Sequence, residues 1–227
     1  RVMGGLGNQM QQYALYEKFR SAGKETKLDI SWFEDASMQE KVLARRSLEL
    51  NQFEHLQYET CSPAEKESVL GRNGFAGKLE RKLFPSKNKH FYESGIYHPE
   101  IFEKTDAYLE GHWACEKYYH DIMPLLQEKI RFPNSQNILN IKTKKQMETE
   151  NSVSIHIRRG DYLDPENAAM FGGICTGDYY KAAEKYIRDH VPDPHFYLFS
   201  DDTAYLRANY TGTEYTVVDW NMDYDSF

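Results

Sequence analysis

The segment that most constrains the fold runs from Ser152 to Tyr162. Val153, Ile155 and Ile157 alternate with Ser152, Ser154 and His156, the period-2 pattern of a pleated strand, and the pattern stops in Arg158-Arg159-Gly160-Asp161. Beyond it the chain alternates. A loop passes through Gly172-Gly173, and Asp178 precedes a helix whose Tyr179, Ala182, Ala183, Tyr186 and Ile187 share one face. A strand over 195–199 then ends in Ser200-Asp201-Asp202, a short helix runs to about Tyr210, and a third strand covers 215–218. Strands alternating with helices imply a parallel sheet with right-handed crossovers. Two strand ends, at Arg158 and Asp201, then lie near each other on the edge where open α/β sheets bind ligands.

The residue types at that edge suit a phosphate. Each guanidinium offers a planar fork of donors that stays charged. Gly160 lets the backbone turn sharply, and Asp161 can orient an arginine or cap the next turn of the chain. The bland alternative is a solvated strand end. Asp201-Asp202 admits two readings as well. The pair can hold a divalent ion, or Asp201 can accept hydrogen bonds from a base while Asp202 caps the next helix. Arg159-Gly160-Asp161 also matches a tripeptide read by adhesion receptors, although here it abuts a core strand.

The amino-terminal half is organised around Gly4-Gly5-Leu6-Gly7, which feeds a helix with Leu15, Phe19 and Ala22 on one face, ending near Gly23. Such a turn offers backbone N–H groups to an anion. It is not a P-loop, because no Gly-Lys-Ser/Thr follows, and it lacks the third glycine of the dinucleotide fingerprint. Gln11 opens the otherwise apolar stripe and needs partners if buried. Lys27–Ile30 reads as a short strand, with Asp29 an exposed carboxylate or a site residue. Ser62-Pro63-Ala64-Glu65 is a capping-box helix start. Ala107–Glu110 reads as another strand, followed by Gly111-His112-Trp113. His112 and Glu116 are four apart, but no third metal ligand has sensible spacing. A helix bent at Pro124 is expected over 117–130, and the polar stretch 134–151 reads as the approach to a second domain.

Composition narrows the function. A net charge of −7 gives no general attraction to nucleic acid. Cys61, Cys115 and Cys175 are unclustered, which points to a reducing compartment without a disulfide or zinc framework. No apolar run approaches the roughly 18–20 residues that span a bilayer. The exception to the acidic balance is 71–91, where Arg72, Lys78, Arg81, Lys82, Lys87 and Lys89 face only Glu80. That stretch is either a solvated loop and helix or a dock for an anionic membrane surface. With only a residue or two before the glycines at Arg1, a trimmed chain is expected.

The motif His156-x-Arg158-Arg159-Gly160-Asp161-Tyr162 resembles the central motif of α-1,2-fucosyltransferases, glycosyltransferases that use GDP-fucose. Met3-Gly4-Gly5-Leu6-Gly7-Asn8-Gln9-Met10 with Gln12-Tyr13-Ala14 is similar to that family's amino-terminal signature. Tyr108–Trp113 with Glu116-Lys117-Tyr118, and Phe199-Ser200-Asp201-Asp202, follow in the family's order. Gln11 departs from it, standing where the family usually has phenylalanine. The resemblance implies a GT-B-like α/β fold of two Rossmann-like domains facing across a cleft. These are 1–140 on the acceptor side and 141–227 for the nucleotide sugar, the second incomplete because the chain stops before the family's third motif.

The resemblance also implies the activity: metal-independent, inverting transfer of L-fucose from GDP-fucose to the 2-hydroxyl of a galactose-type acceptor that can be lipid-linked. No cofactor is expected beyond that donor, and the setting is surface polysaccharide synthesis, in the cytoplasm or at the inner membrane face. Donor contacts are expected from Gly4, Gly5, Gly7, Asn8, Gln9, His156, Arg158, Arg159, Ser200 and Asp201. His112 and Trp113 are the acceptor candidates. Arg158 would stabilise the leaving diphosphate, with Arg159 supporting it or reaching the same phosphates. Asp161 is a candidate base or a structural partner. The competing functions are a metal-dependent transferase for another sugar nucleotide, a non-catalytic nucleotide- or sugar-binding module, and an adhesion protein.

Overall fold

The computed structural model describes residues 1–40, 42, 45–71 and 89–221, apart from the side chains of Asp161, Met170 and Phe171. Most of the basic 71–91 stretch therefore lies outside the described residues. The chain forms two compact units, residues 1–133 and 134–227. The break falls before the expected residue 140, because a helix over 138–147 belongs to the second unit.

In the first unit, helix α1 (Leu6–Ser21) starts from an extended Gly5 with no side-chain cap. It stops at Gly23, whose φ of +76° suits a residue without a Cβ. Its burial is wider than one stripe. Ala14, Leu15 and Phe19 pack with Ile101, Trp113, Tyr118 and Leu126, while Tyr13 and Tyr16 pack with Val2, Leu28, Leu50 and Phe53. A helix between two apolar clusters is buried on two faces, and Ala22 is left exposed.

Around α1 a parallel frame can be traced. Helices α2 (Ala36–Gln39) and α3 (Pro63–Leu70) come first, α3 opening on the expected Ser62–Glu65 capping box. Strands β1 (His90–Tyr92) and β2 (Tyr108–Glu110) then pair in parallel. Arg1 N donates to Leu109 O at 2.8 Å and Val2 N to Asp29 O at 2.8 Å, and Leu28 bridges Thr60. The extended segments therefore lie in the order 90–92, 108–110, 1–2, 28–29, 60. The sequence order reverses beside Arg1–Val2, so the loops leaving there, Gly4–Gly7 and Gly111–Trp113, flank a topological switch point.

The helix expected over 117–130 is three pieces instead: 3₁₀ turns at Glu116–Tyr118 and His120–Ile122, then α4 (Met123–Lys129). Pro124 sits in the first turn of α4, where its missing N–H costs nothing, and starts the helix instead of bending one.

The second unit opens with α5 (Ile138–Met147), capped by the Asn137 side chain, where a polar approach was expected. Then come β3 (Ser152–Ile157), α6 (Pro165–Phe171), α7 (Gly177–His190), β4 (His195–Ser200), α8 (Thr203–Asn209) and β5 (Tyr215–Val217). The sheet order is β3-β4-β5, all parallel, with Ile157 opposite Ser200. Ile155, Ile157, Phe196, Leu198 and Leu206 form its core. Helix α7 is rotated by about one residue from the expected face. Tyr180 and Ile187 pack on the core, whereas Tyr179 and Tyr186 are exposed. Both units are thus mixed α/β with parallel strands.

Candidate functional site

In the second unit the ends of β3 and β4 are tied together. Ser200 Oγ donates to Ile157 O and accepts from Asp202 N at 3.0 Å. Its hydroxyl is therefore a strut between strand ends. Asp201 Oδ1 accepts from Arg159 N at 2.8 Å. Asp202 Oδ1 caps α8 through Tyr205 N at 3.0 Å, and its Oδ2 meets Arg159 Nε at 3.0 Å. The Tyr205 N–H and the guanidinium hold the Asp202 carboxyl below its ordinary range.

Arg159 also lies over the Tyr205 ring, 3.9 Å from its centroid. A Cβ on Gly160 would stand 2.6 Å from Asp201 Oδ2, so any side chain there has to displace that carboxylate. Arg159, Ser200, Asp201 and Asp202 thus build the turn.

His156 and Arg158 are presented differently. Both are exposed. The His156 carbonyl accepts from Tyr180 Oη at 3.0 Å, which fixes its backbone, and Arg158 Cζ is 5.1 Å from the Tyr162 ring centroid. Asp161 opens a 3₁₀ turn over Asp161–Leu163, with its side chain outside the described residues.

In the first unit the glycine-rich loop is held by two buried amides. Gln9 is fully buried. Its Nε2 donates to Gly4 O at 3.0 Å and Ser47 O at 2.9 Å, and its Oε1 accepts from Glu49 N at 2.8 Å. Both amide hydrogens are used, so the Gln9 side chain, expected among the donor contacts, holds the loop. Gln12 links the switch point: Oε1 accepts from Met3 N at 2.9 Å and Nε2 donates to Gly111 O at 3.0 Å. Gln11 is only half-buried.

Gly4 has φ +82°, and a Cβ there would lie 2.5 Å from Asn8 Nδ2. A Cβ on Gly5 would be 3.7 Å from Arg46 Nη1, while Gly7 faces open space. Arg46 was not singled out in the sequence, because its approach to the loop depends on the Gln9 tether to Ser47 and Glu49.

The turn after β2 separates the two acceptor candidates. His112 is exposed. Trp113 is buried, stacked 6.3 Å from Phe91 and edge-on to Tyr118 at 5.4 Å, so its ring belongs to the core cluster. Its φ of +56° costs a residue with a Cβ about 1–2 kcal/mol. Glu93, which the sequence did not flag, receives this turn: Oε2 accepts from His112 N at 2.8 Å and Trp113 N at 2.7 Å.

Asp29 is buried, not an exposed strand carboxylate. Lys66 Nζ lies 2.7 Å away, Ser31 N donates at 3.0 Å, and Tyr108 Oη donates as well. Burial alone would raise its pKa. The bonds from Lys66, Tyr108 and Ser31 outweigh that and hold the carboxyl well below the usual range. A cavity of about 540 Å³ is lined by Lys24–Asp29, Lys104–Leu109, residues of α1 and α3, and Trp113. Among the described residues no cluster of three His, Cys, Asp or Glu side chains could hold a metal ion, and the three cysteines are unpaired. No described helix is long and apolar enough to cross a membrane.

A family model described as glycosyl transferase family 11 matches residues 96–221, more than half of the chain. The chain is similar to the O-antigen biosynthesis glycosyltransferase WbnK of Escherichia coli, with 29% identity over 96% of this chain and 80% of that protein. It is also similar to an alpha-1,2-colitosyltransferase of Escherichia coli, with 28% identity over 91% of this chain and 69% of that protein. No solved structure matches.

Proposed function

Because the chain belongs to glycosyl transferase family 11, we propose that it moves L-fucose from GDP-fucose to the 2-hydroxyl of a galactose-containing glycan. In this reading the linkage inverts without a metal, and the product enters O-antigen-type surface polysaccharide. The two α/β units then serve as the Rossmann-like halves of a GT-B enzyme, the first for the acceptor and the second for the nucleotide sugar.

The observation that carries the reading is an exposed guanidinium at the end of a parallel strand: Arg158 follows β3, lies 5.1 Å from the Tyr162 ring centroid and reaches solvent two residues after His156. As the sugar–phosphate bond breaks, negative charge grows on the leaving diphosphate and positive charge on the sugar. A guanidinium aimed at the distal phosphate stabilises that change more than it stabilises the ground state. In this reading Asp201, whose Oδ1 accepts from Arg159, takes the N–H edge of guanine together with His156. Asp161 is the candidate base for the acceptor hydroxyl. The inner membrane face is a setting this chemistry fits, since polysaccharide acceptors can be lipid-linked.

A second reading concerns only the donor sugar. One relative is named for colitose, a sugar that differs from fucose by a missing 3-hydroxyl. Calorimetric titration of GDP, UDP and ADP with chelator present, on the wild type and Arg158→Ala, tests the nucleotide. Selective GDP binding that the mutant loses is expected. A requirement for a divalent ion, or a preference for UDP, would overturn the assignment. Turnover of GDP-fucose against GDP-colitose with a galactose-terminated acceptor then decides the sugar.

A further inference from the structure

We infer that Glu93 is a positioning residue that presents His112 to the glycan acceptor. The inference rests on the transferase reading above and deepens it.

Four observations converge on the turn after β2. One oxygen of Glu93 accepts two successive backbone N–H groups, from His112 and Trp113. Gly111 leaves no space between itself and Glu93, since a Cβ there would stand 2.4 Å from Glu93 Cβ. Gln12 holds the Gly111 carbonyl from the other side. Trp113 adopts φ +56°, in the left-handed region that a bulky side chain avoids. A backbone fixed from this many directions over-determines one conformation, and strain kept in this way marks a functional turn.

The residue at its apex is His112. Trp113 turns inward to the core, so the same geometry turns His112 outward. The His112 imidazole has no hydrogen-bond partner among the described residues, and it stands at a strand end beside the glycine-rich loop. An imidazole offers a ring N–H donor and a ring-nitrogen acceptor, which suits a sugar hydroxyl. Glu93 N is in turn bonded to Glu110 O at 2.9 Å, so its carboxylate is referenced to the β1–β2 ladder and not to a mobile loop.

The test compares wild type, Glu93→Gln, Glu93→Ala, His112→Ala and the Glu93→Ala/His112→Ala double variant. Donor and acceptor KM are measured separately, thermal melts confirm folding, and GDP titration confirms the nucleotide site. Glu93→Ala and His112→Ala are each expected to raise acceptor KM about tenfold, as for one lost ordered contact. Donor KM should be unchanged, and the double variant no worse than either single one. Glu93→Gln keeps an acceptor oxygen for both N–H groups and should stay near wild type. Should Glu93→Ala not fold, Glu93→Asp retracts the carboxylate and carries the same expectation.

Multiplicative effects in the double variant, or donor and acceptor KM rising together, would overturn the inference. So would an unchanged acceptor KM. Titrating a galactose-terminated oligosaccharide while following the His112 ring resonances gives an answer even if the donor is misassigned. Wild type that binds no nucleoside diphosphate would instead count against the transferase reading itself.

Discussion

Gly160 shows how one missing methyl group can matter. Its Cβ position is occupied by Asp201 Oδ2, and the Asp201 carboxylate is pinned by Arg159 N–H. In Gly160→Ala the carboxylate has to swing away and give up that bond. The expected outcome is about a tenfold loss of GDP affinity, with stability falling by only about 1 kcal/mol, the worth of one exposed hydrogen bond. Calorimetry and a melt on the same preparation separate the two effects. Asp29 makes the opposite case. Lys66→Ala removes its shortest cationic partner from a buried carboxylate and should cost about 1.5–3 kcal/mol. GDP binding is not expected to change, because the Asp29 cluster is part of the sheet frame and not of the nucleotide edge. Urea midpoints of the two proteins check the first claim.

At the scale of elements, the features that could be read from the sequence were the local ones. The alternation in 152–157, the apolar strand at 195–199, the Ser62–Glu65 box and the strand at 107–110 each depend on neighbours a few residues apart. Helix α5 escaped because its apolar Ile138, Leu139 and Ile141 are exposed and form no core stripe. The candidate site was legible only in part for the same reason. The glycines, Arg158, Asp201 and His112 announce themselves by type. Their supports do not: Gln9 bonds Ser47 38 residues away, and Gln12 bonds Gly111 99 residues away. The Ser200 and Gln9 side chains, expected among donor contacts, are tied into the fold as struts, and Trp113, an acceptor candidate, packs among core aromatics. Removing a strut should therefore damage an element and not a contact. Gln9→Ala leaves Ser47 O and Glu49 N without their partner and opens a cavity at the base of the glycine-rich loop. A loss of roughly 2–4 kcal/mol is expected, visible as faster amide exchange at Glu49.

For the whole molecule, the folded state should be lost on the acid side in two stages, each with a named cause. Burial lowers the His90 pKa, and the bond to Glu110 only partly restores it. A histidine whose folded pKa lies below its unfolded value of about 6.5 binds fewer protons in the native state. Its contribution is present above that value and falls as pH drops through the interval down to the folded pKa. The carboxylates act at lower pH. Asp29, Asp202 and Asp121 are all held below their ordinary values, and Glu65, which carries the α3 capping box, is lowered to about 2. Their stabilisation is complete above the unfolded carboxylate range near about pH 4 and is lost as pH falls below it. Thermal melts from pH 8 to pH 3 should therefore show a shallow decline beginning near pH 6.5 and a steep one beginning near pH 4. His90→Asn is expected to flatten the first and leave the second in place. A wild-type melting curve that stays level between pH 7 and pH 5, or a steep stage that vanishes in the His90 variant, would contradict this assignment of the two stages.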